Sequence, residues 1–202
     1  GLVGILSKTG SAEAFGRWAK KKINDPKSSL LLAWVCGIII FIDDYFNSLA
    51  VGTVMRPIAD KNKISRAKLA WVLDSTAAPV CILVPISSWV ITVISILKGS
   101  EGFESFGITE FSFFLKAVPY NIYAILTLIM VVTIILTGRD YGPMKKSQQL
   151  ADEGILFNAK YGEAPGEMKS EEKTDNGRAK MIDMLLPIIV LIASALFMFP
   201  FV

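Results

Sequence analysis

The chain has 202 residues, of which 52% are hydrophobic, and a mean hydropathy of +0.50, which excludes an ordinary soluble domain. Its net charge of +3, from 21 Lys+Arg against 18 Asp+Glu, is too small to mark a nucleic-acid binder. There is no histidine, so the commonest metal ligand and the side chain that titrates near neutral pH are both missing.

The apolar residues form four blocks, 29–55, 69–97, 120–137 and 185–202. A spanning helix needs about 20 apolar residues to cross a hydrocarbon core about 30 Å thick. The last two blocks, of 18 residues each, fit one crossing apiece. Cys36 and Cys81 lie inside blocks and read as small buried hydrophobes. The sequence therefore predicts an all-α polytopic membrane protein.

Residues 1–28 read as the end of an upstream helix and a basic cytoplasmic segment. The first block, 29–55, then carries "FIDDYFNSLAVG", where Asp43 and Asp44 follow an almost wholly apolar run. Charge at that depth costs several kcal/mol and by default marks a functional site. Both flanks are basic: six bases against two acids in 1–28, and five against one in 56–68. Basic loops stay on the cytoplasmic side, so the block is expected to enter and return as a re-entrant hairpin. Its arms are 29–42 and 48–55, and its tip is 43–47. Irregular backbone at mid-membrane survives only where protein or a watery cavity surrounds it.

After the basic cytoplasmic loop 56–68, block 69–97 is 29 residues long, about 43 Å as one helix and more than a crossing needs. Its "LDSTAAPVCILVPISSW" predicts a discontinuous helix. Asp74, Ser75 and Thr76 prefer to bond their own backbone, and Pro79 lacks an amide donor. A break is expected at 74–79, with Ser75 or Thr76 capping the restarted half, and Pro85 adds a kink. Loop 98–119 is external, and its "FSFFLKAVP" lies along the outer interface. Helix 120–137 returns, 138–184 is a cytoplasmic linker with a polar, Gly/Pro-broken stretch, and 185–202 goes out again. Gly1 in place of Met, and an end inside an apolar run, fit a piece of a longer protein.

No Lys or Arg lies inside an apolar block, and 15 of the 18 acids share the loops with them. Asp43, Asp44 and Asp74 are the exceptions. With Asn47, Ser48, Ser75 and Thr76 they form an oxygen-rich set suited to a hard cation such as sodium. Half-helix ends and unwound carbonyls build such sites in transporters. Without histidine, a proton must ride on a carboxylate, and cation and proton then compete for the same oxygens. Adjacent aspartates stand about 100° apart on a helix, so both cannot enter one small cavity; either can be the ligand. An intramembrane aspartyl protease also uses two aspartates, but on two facing helices, and no glycine-flanked catalytic Asp is present.

"DDYFNSLAVGTVMRPIADKNKISRAKLAWVLDSTAAPVCILVPISSW" resembles the signature region of NhaC-type sodium/proton antiporters, and "GRDYGPMKKSQQLADEG" continues the similarity. The resemblance implies a non-enzymatic secondary transporter of the ion-transporter superfamily, built from inverted repeats, in the plasma or inner membrane. It implies that Asp43, Asp44, Asn47 and Asp74-Ser75-Thr76 line the ion path, with no resident cofactor. Partners are then the bilayer, sodium, protons and a second repeat of the same chain, and the resemblance leaves room for a homodimer. Related members exchange malate for lactate. For a carboxylate substrate, Arg56, beside Pro57, is the nearby basic candidate.

Overall fold

The computed structural model describes residues 14, 23–156, 180 and 182–198. The described residues are helical, with no strand. The expectations for most of 1–22, for the Gly/Pro-broken stretch and for the last four residues lie outside them.

Helix α1, Pro26–Ile39, begins with Pro26 in its first turn, and Asp25 caps it by accepting from Ser28 N–H. That backbone hydrogen bond holds the Asp25 carboxyl below the usual carboxylate range. The β-branched run Ile38–Ile40 after Gly37 favours helix only weakly, and the chain leaves the helix at Ile40 (φ −94°, ψ 65°). Helix α2, Asp44–Lys61, starts four residues later, capped by Asp43, with Asp44 in its first turn where the helix dipole favours an anion. The two helices form an antiparallel hairpin. Asn62 Nδ2 donates to Ser29 Oγ (2.7 Å) and Lys61 Nζ to Asn24 Oδ1 (3.1 Å) at its base. Near its tip Asn47 Nδ2 donates to the Gly37 carbonyl (2.7 Å).

The hairpin differs from the expected one in its bounds. The turn is 40–43, not 43–47, because the Asp43 side chain lets the second helix start at once. Residues 56–61, expected in a loop, continue α2 as helix, with Pro57 inside it.

Helix α3, Arg66–Leu83, packs against both arms of the hairpin. Gly37 makes the approach close: a Cβ there would stand 2.9 Å from Thr76 Cγ2. Helix association inside a membrane rests on packing and small residues, since lipid is as apolar as leucine. Ala33, Val51, Met55, Ile58, Ile64 and Val72 form the buried centre.

The expected break at 74–79 is not there. α3 runs through Asp74–Pro79 without interruption, because Thr76 Oγ1 folds back onto the Val72 carbonyl (2.6 Å) and stays inside the helix. Pro79 withholds one amide, that owed to Ser75, and the helix tolerates it. The break falls at 84–87. Val84 is extended (φ −82°, ψ 133°), as a residue before proline prefers. Ser87, not Ser75 or Thr76, caps the restarted helix α4, Ser88–Lys98. The two halves meet at a bend of 48°.

Residues 98–121 hold a 3-10 turn, Phe103–Phe106, helix α5, Glu110–Ala117, against α4, and a second 3-10 turn, Val118–Tyr120. Helix α6, Ile122–Thr137, packs on α3 and α1 and ends at Gly138, whose positive φ of 67° closes the cap. Lys27 Nζ donates to the Leu136 carbonyl there (2.9 Å). Helix α7, Gly142–Asp152, stands in what the sequence reads as linker. Gln148 pins it to the α2–α3 turn, accepting from Ser65 N (3.0 Å) and donating to the Lys63 carbonyl (2.8 Å). Trp71 meets Tyr141 edge-on, and the buried pair Lys68–Asp140 closes at 2.7 Å. Helix α8 is Ile182–Met198.

Among the described residues, the stretch Ile122–Asp152 is long and apolar enough to cross a membrane, with a mean hydropathy of 2.1 over its apolar window. α3 and α4 pass the same test only when taken together across their bend.

Candidate functional site

The hairpin turn meets the α3–α4 break. Asp43 spends both carboxylate oxygens locally: Oδ1 accepts from Phe46 N (2.9 Å) and Oδ2 from Ser88 Oγ (3.1 Å). Two backbone carbonyls of the turn are also taken. Ile42 O accepts from Ser88 N (2.9 Å) and Phe41 O from Cys81 Sγ (3.2 Å).

One residue on, the chain is already helical, and Asp44 turns to another side. Asp44 and Ser48 are one turn apart on one face of α2. Asp74, Ala77 and Ala78 share a face of α3 by the same spacing. Together with Tyr45 these residues line a cleft of about 160 Å³. Tyr45, Asp74 and Ala78 are exposed at its rim, while Asp44 and Ser48 are half-buried. The alanines leave room beside the carboxylates, and the lining residues include no base.

The remaining predicted residues stand elsewhere. Asn47 is 1% exposed and is engaged with Gly37 O between α1 and α2. Thr76 packs against Gly37, and Ser75 does not line the cleft. Pro79 is buried within α3. Arg56 lies twelve residues along α2 from Asp44, about 18 Å toward the base of the hairpin.

Sequence reasoning missed Ser87, Ser88 and Cys81. Serine two residues after Pro85 was a readable signal, since a proline break followed by Ser is a helix-start pattern. The tie from Ser88 to Asp43 spans 45 residues, and no local pattern announces it. Among the described residues no three His, Cys, Asp or Glu gather as a metal-holding group.

The profile of the Na+/H+ antiporter family matches residues 80–202. The chain belongs to that family. Membership places it in a membrane. An uncharacterized protein of Haemophilus influenzae is 38% identical over 200 residues, which cover 98% of this chain and 36% of that protein. The chain thus spans about a third of the length of this curated relative. No solved structure matches it. The family match begins at Val80, within α3, so the break and Ser88 fall inside it, while Asp43, Asp44 and Asp74 precede it.

Proposed function

We propose that the complete protein is a secondary transporter of the plasma or inner membrane, not an enzyme. In this reading it exchanges sodium for protons, and Asp44, Ser48 and Asp74 contribute the cation-binding oxygens. The observation that carries this is the cleft itself, where carboxylates from two different helices face one space that no basic residue lines. Asp43 holds the fold of the tip, since both of its oxygens are already bonded. Cation and proton compete for Asp44 and Asp74, and exchange follows when the site opens to one side at a time.

The hairpin is read as re-entrant and cytoplasmic at its base, which would class the chain with NhaC-type members. α1 has 14 residues, about 21 Å of helix, short of a core about 30 Å thick. Basic residues crowd the base of the hairpin: Lys27, Lys61, Lys63, Arg66 and Lys68. A second, inverted repeat outside this chain would close the open side of the cleft.

The alternative, exchange of organic acids such as malate and lactate, fits the cleft less well. A carboxylate substrate would meet two carboxylates, and Arg56 stands too far along α2 to offset them.

The test uses inside-out vesicles containing the full-length protein, with an acid interior reported by a pH-quenched dye. Sodium is expected to restore fluorescence, and Asp44→Asn and Asp74→Asn to abolish the response. A response to malate with none to sodium, lithium or potassium would defeat the cation reading.

A further inference from the structure

The turn between α1 and α2 is anchored at its start by the buried Ile40, and the next three residues of it are held from one place. Phe41 O, Ile42 O and Asp43 Oδ2 each accept a hydrogen bond from the segment around the α3–α4 break. Ser88 supplies two of the three, through its amide (2.9 Å) and its hydroxyl (3.1 Å). The amide is available because Ser88 is the first residue of α4, where helix geometry leaves N–H groups without internal partners. Ser87 steadies the donor side: its hydroxyl donates to Cys81 O (2.6 Å) and accepts from Val90 N (3.3 Å).

We propose that Ser88 is a positioning residue that latches the hairpin tip to the helix break and so sets where Asp44 stands relative to Asp74. The inference rests on the cation-site reading for its consequence in transport, but the latch itself does not. Asp44 is one residue from the latched Asp43 and is carried on α2, while Asp74 is carried on α3. The break that holds the tip is the C-terminal end of α3. The latch therefore ties the Asp44 end of α2 to the C-terminal end of α3, and the rigid stretch of α3 from Leu83 back to Asp74 carries the register to the second carboxylate. Freeing the tip lets α2 shift against α3 and loosens the oxygen set that a cation needs.

The test compares Ser88→Ala, Ser88→Thr and Asp43→Asn in the full-length protein with two readouts. The first is sodium-driven proton exchange in vesicles. Ser88→Ala is expected to raise the sodium concentration for half-maximal exchange about tenfold, the scale of losing one hydrogen bond to a charged group. The maximal rate should change little, and Ser88→Thr, which keeps the hydroxyl, should recover most of the affinity.

The second readout is modification of Cys81 by a membrane-permeant maleimide, quantified by mass spectrometry. Cys81 is 0% exposed and donates to the tip, so a freed tip uncovers it. Ser88→Ala should speed labelling about tenfold. Ser88→Thr should not, and Asp43→Asn should give an intermediate rate and serves if Ser88→Ala fails to fold.

Labelling of Ser88→Ala at the wild-type rate overturns the latch whatever transport does. Equal impairment of Ser88→Ala and Ser88→Thr overturns the role of the hydroxyl. Faster Cys81 labelling in a protein that never responds to sodium would support the latch while defeating the sodium reading.

Discussion

Asn47 sits in the first turns of α2 and was expected in the ion path, yet its buried amide is committed to the Gly37 carbonyl at 2.7 Å. α1 ends at Ile39, which leaves Gly37 O among the terminal carbonyls that the helix does not serve. Replacing Asn47 by Ala removes the donor and leaves that carbonyl facing an apolar interior. Interhelical hydrogen bonds inside membranes average only about 0.6 kcal/mol, whereas an orphaned buried polar group costs about 1–3 kcal/mol. Asn47 is almost completely covered, so water cannot reach the vacated site easily and the second figure governs. A loss of about 2 kcal/mol lowers the melting temperature by about 4–8 °C for 150–250 residues, and by correspondingly less, about 2 °C, in a full-length protein nearly three times longer. Asn47→Asp should lose more, because it sets an acceptor against an acceptor. The assay is thermal unfolding of the purified full-length protein in detergent, with and without sodium. Both variants should melt lower than wild type and still gain the wild-type increment from sodium. An unchanged melting temperature in Asn47→Ala, with the sodium increment lost, would refute this and make Asn47 an ion ligand.

Gly37→Ala should destabilise by about 1–3 kcal/mol, the usual cost of overpacking, since its Cβ would stand 2.9 Å from Thr76 Cγ2. Combining it with Thr76→Ser, which removes that methyl, should recover most of the loss in the same melting assay. Lys68→Ala should cost about 3–5 kcal/mol by stranding Asp140, because both partners are buried and meet at 2.7 Å. The double replacement Lys68→Met with Asp140→Leu should melt near wild type. The Asp25 cap contributes stability that is complete above the unfolded carboxyl value of 3.8 and is lost as pH falls through the lower folded value. Asp25→Asn should remove that part of the acid dependence of unfolding, and wild-type and variant curves of the same slope below pH 4 would contradict it.

The helical character and the three exceptional aspartates were legible because both depend on composition alone. Apolar blocks long enough to span, and acids inside them, need no tertiary knowledge. The turn back within the first block was legible too, through the basic residues on both of its flanks, while its re-entry into the membrane belongs to the proposal. Its turn was misplaced because an acidic pair reads as an interruption, whereas Asp43 as a cap starts a helix instead. The helix break was misplaced for a related reason. Asp-Ser-Thr before a proline looks like an end, but Thr76 bonds back within its own helix and Pro79 costs one amide. Pro85, preceded by Val84 and followed by Ser87, had the fuller signature. The different settings of Asp43 and Asp44 were not legible at all. They depend on Ser88, which lies 45 residues from Asp43. Helix α7 was hidden for the same reason: a polar segment joins the fold through Gln148, Tyr141 and Asp140, each with a distant partner.

In the proposed mechanism cation and proton compete for Asp44 and Asp74 while Asp43 only shapes the tip. Its most direct test is proton release when sodium is added to the purified full-length protein in weak buffer. Release is expected in wild type, none in Asp44→Asn or Asp74→Asn, and release in Asp43→Asn with a weaker sodium dependence. Undiminished release in Asp44→Asn, or its complete loss in Asp43→Asn alone, would overturn this mechanism and transfer the ion to Asp43.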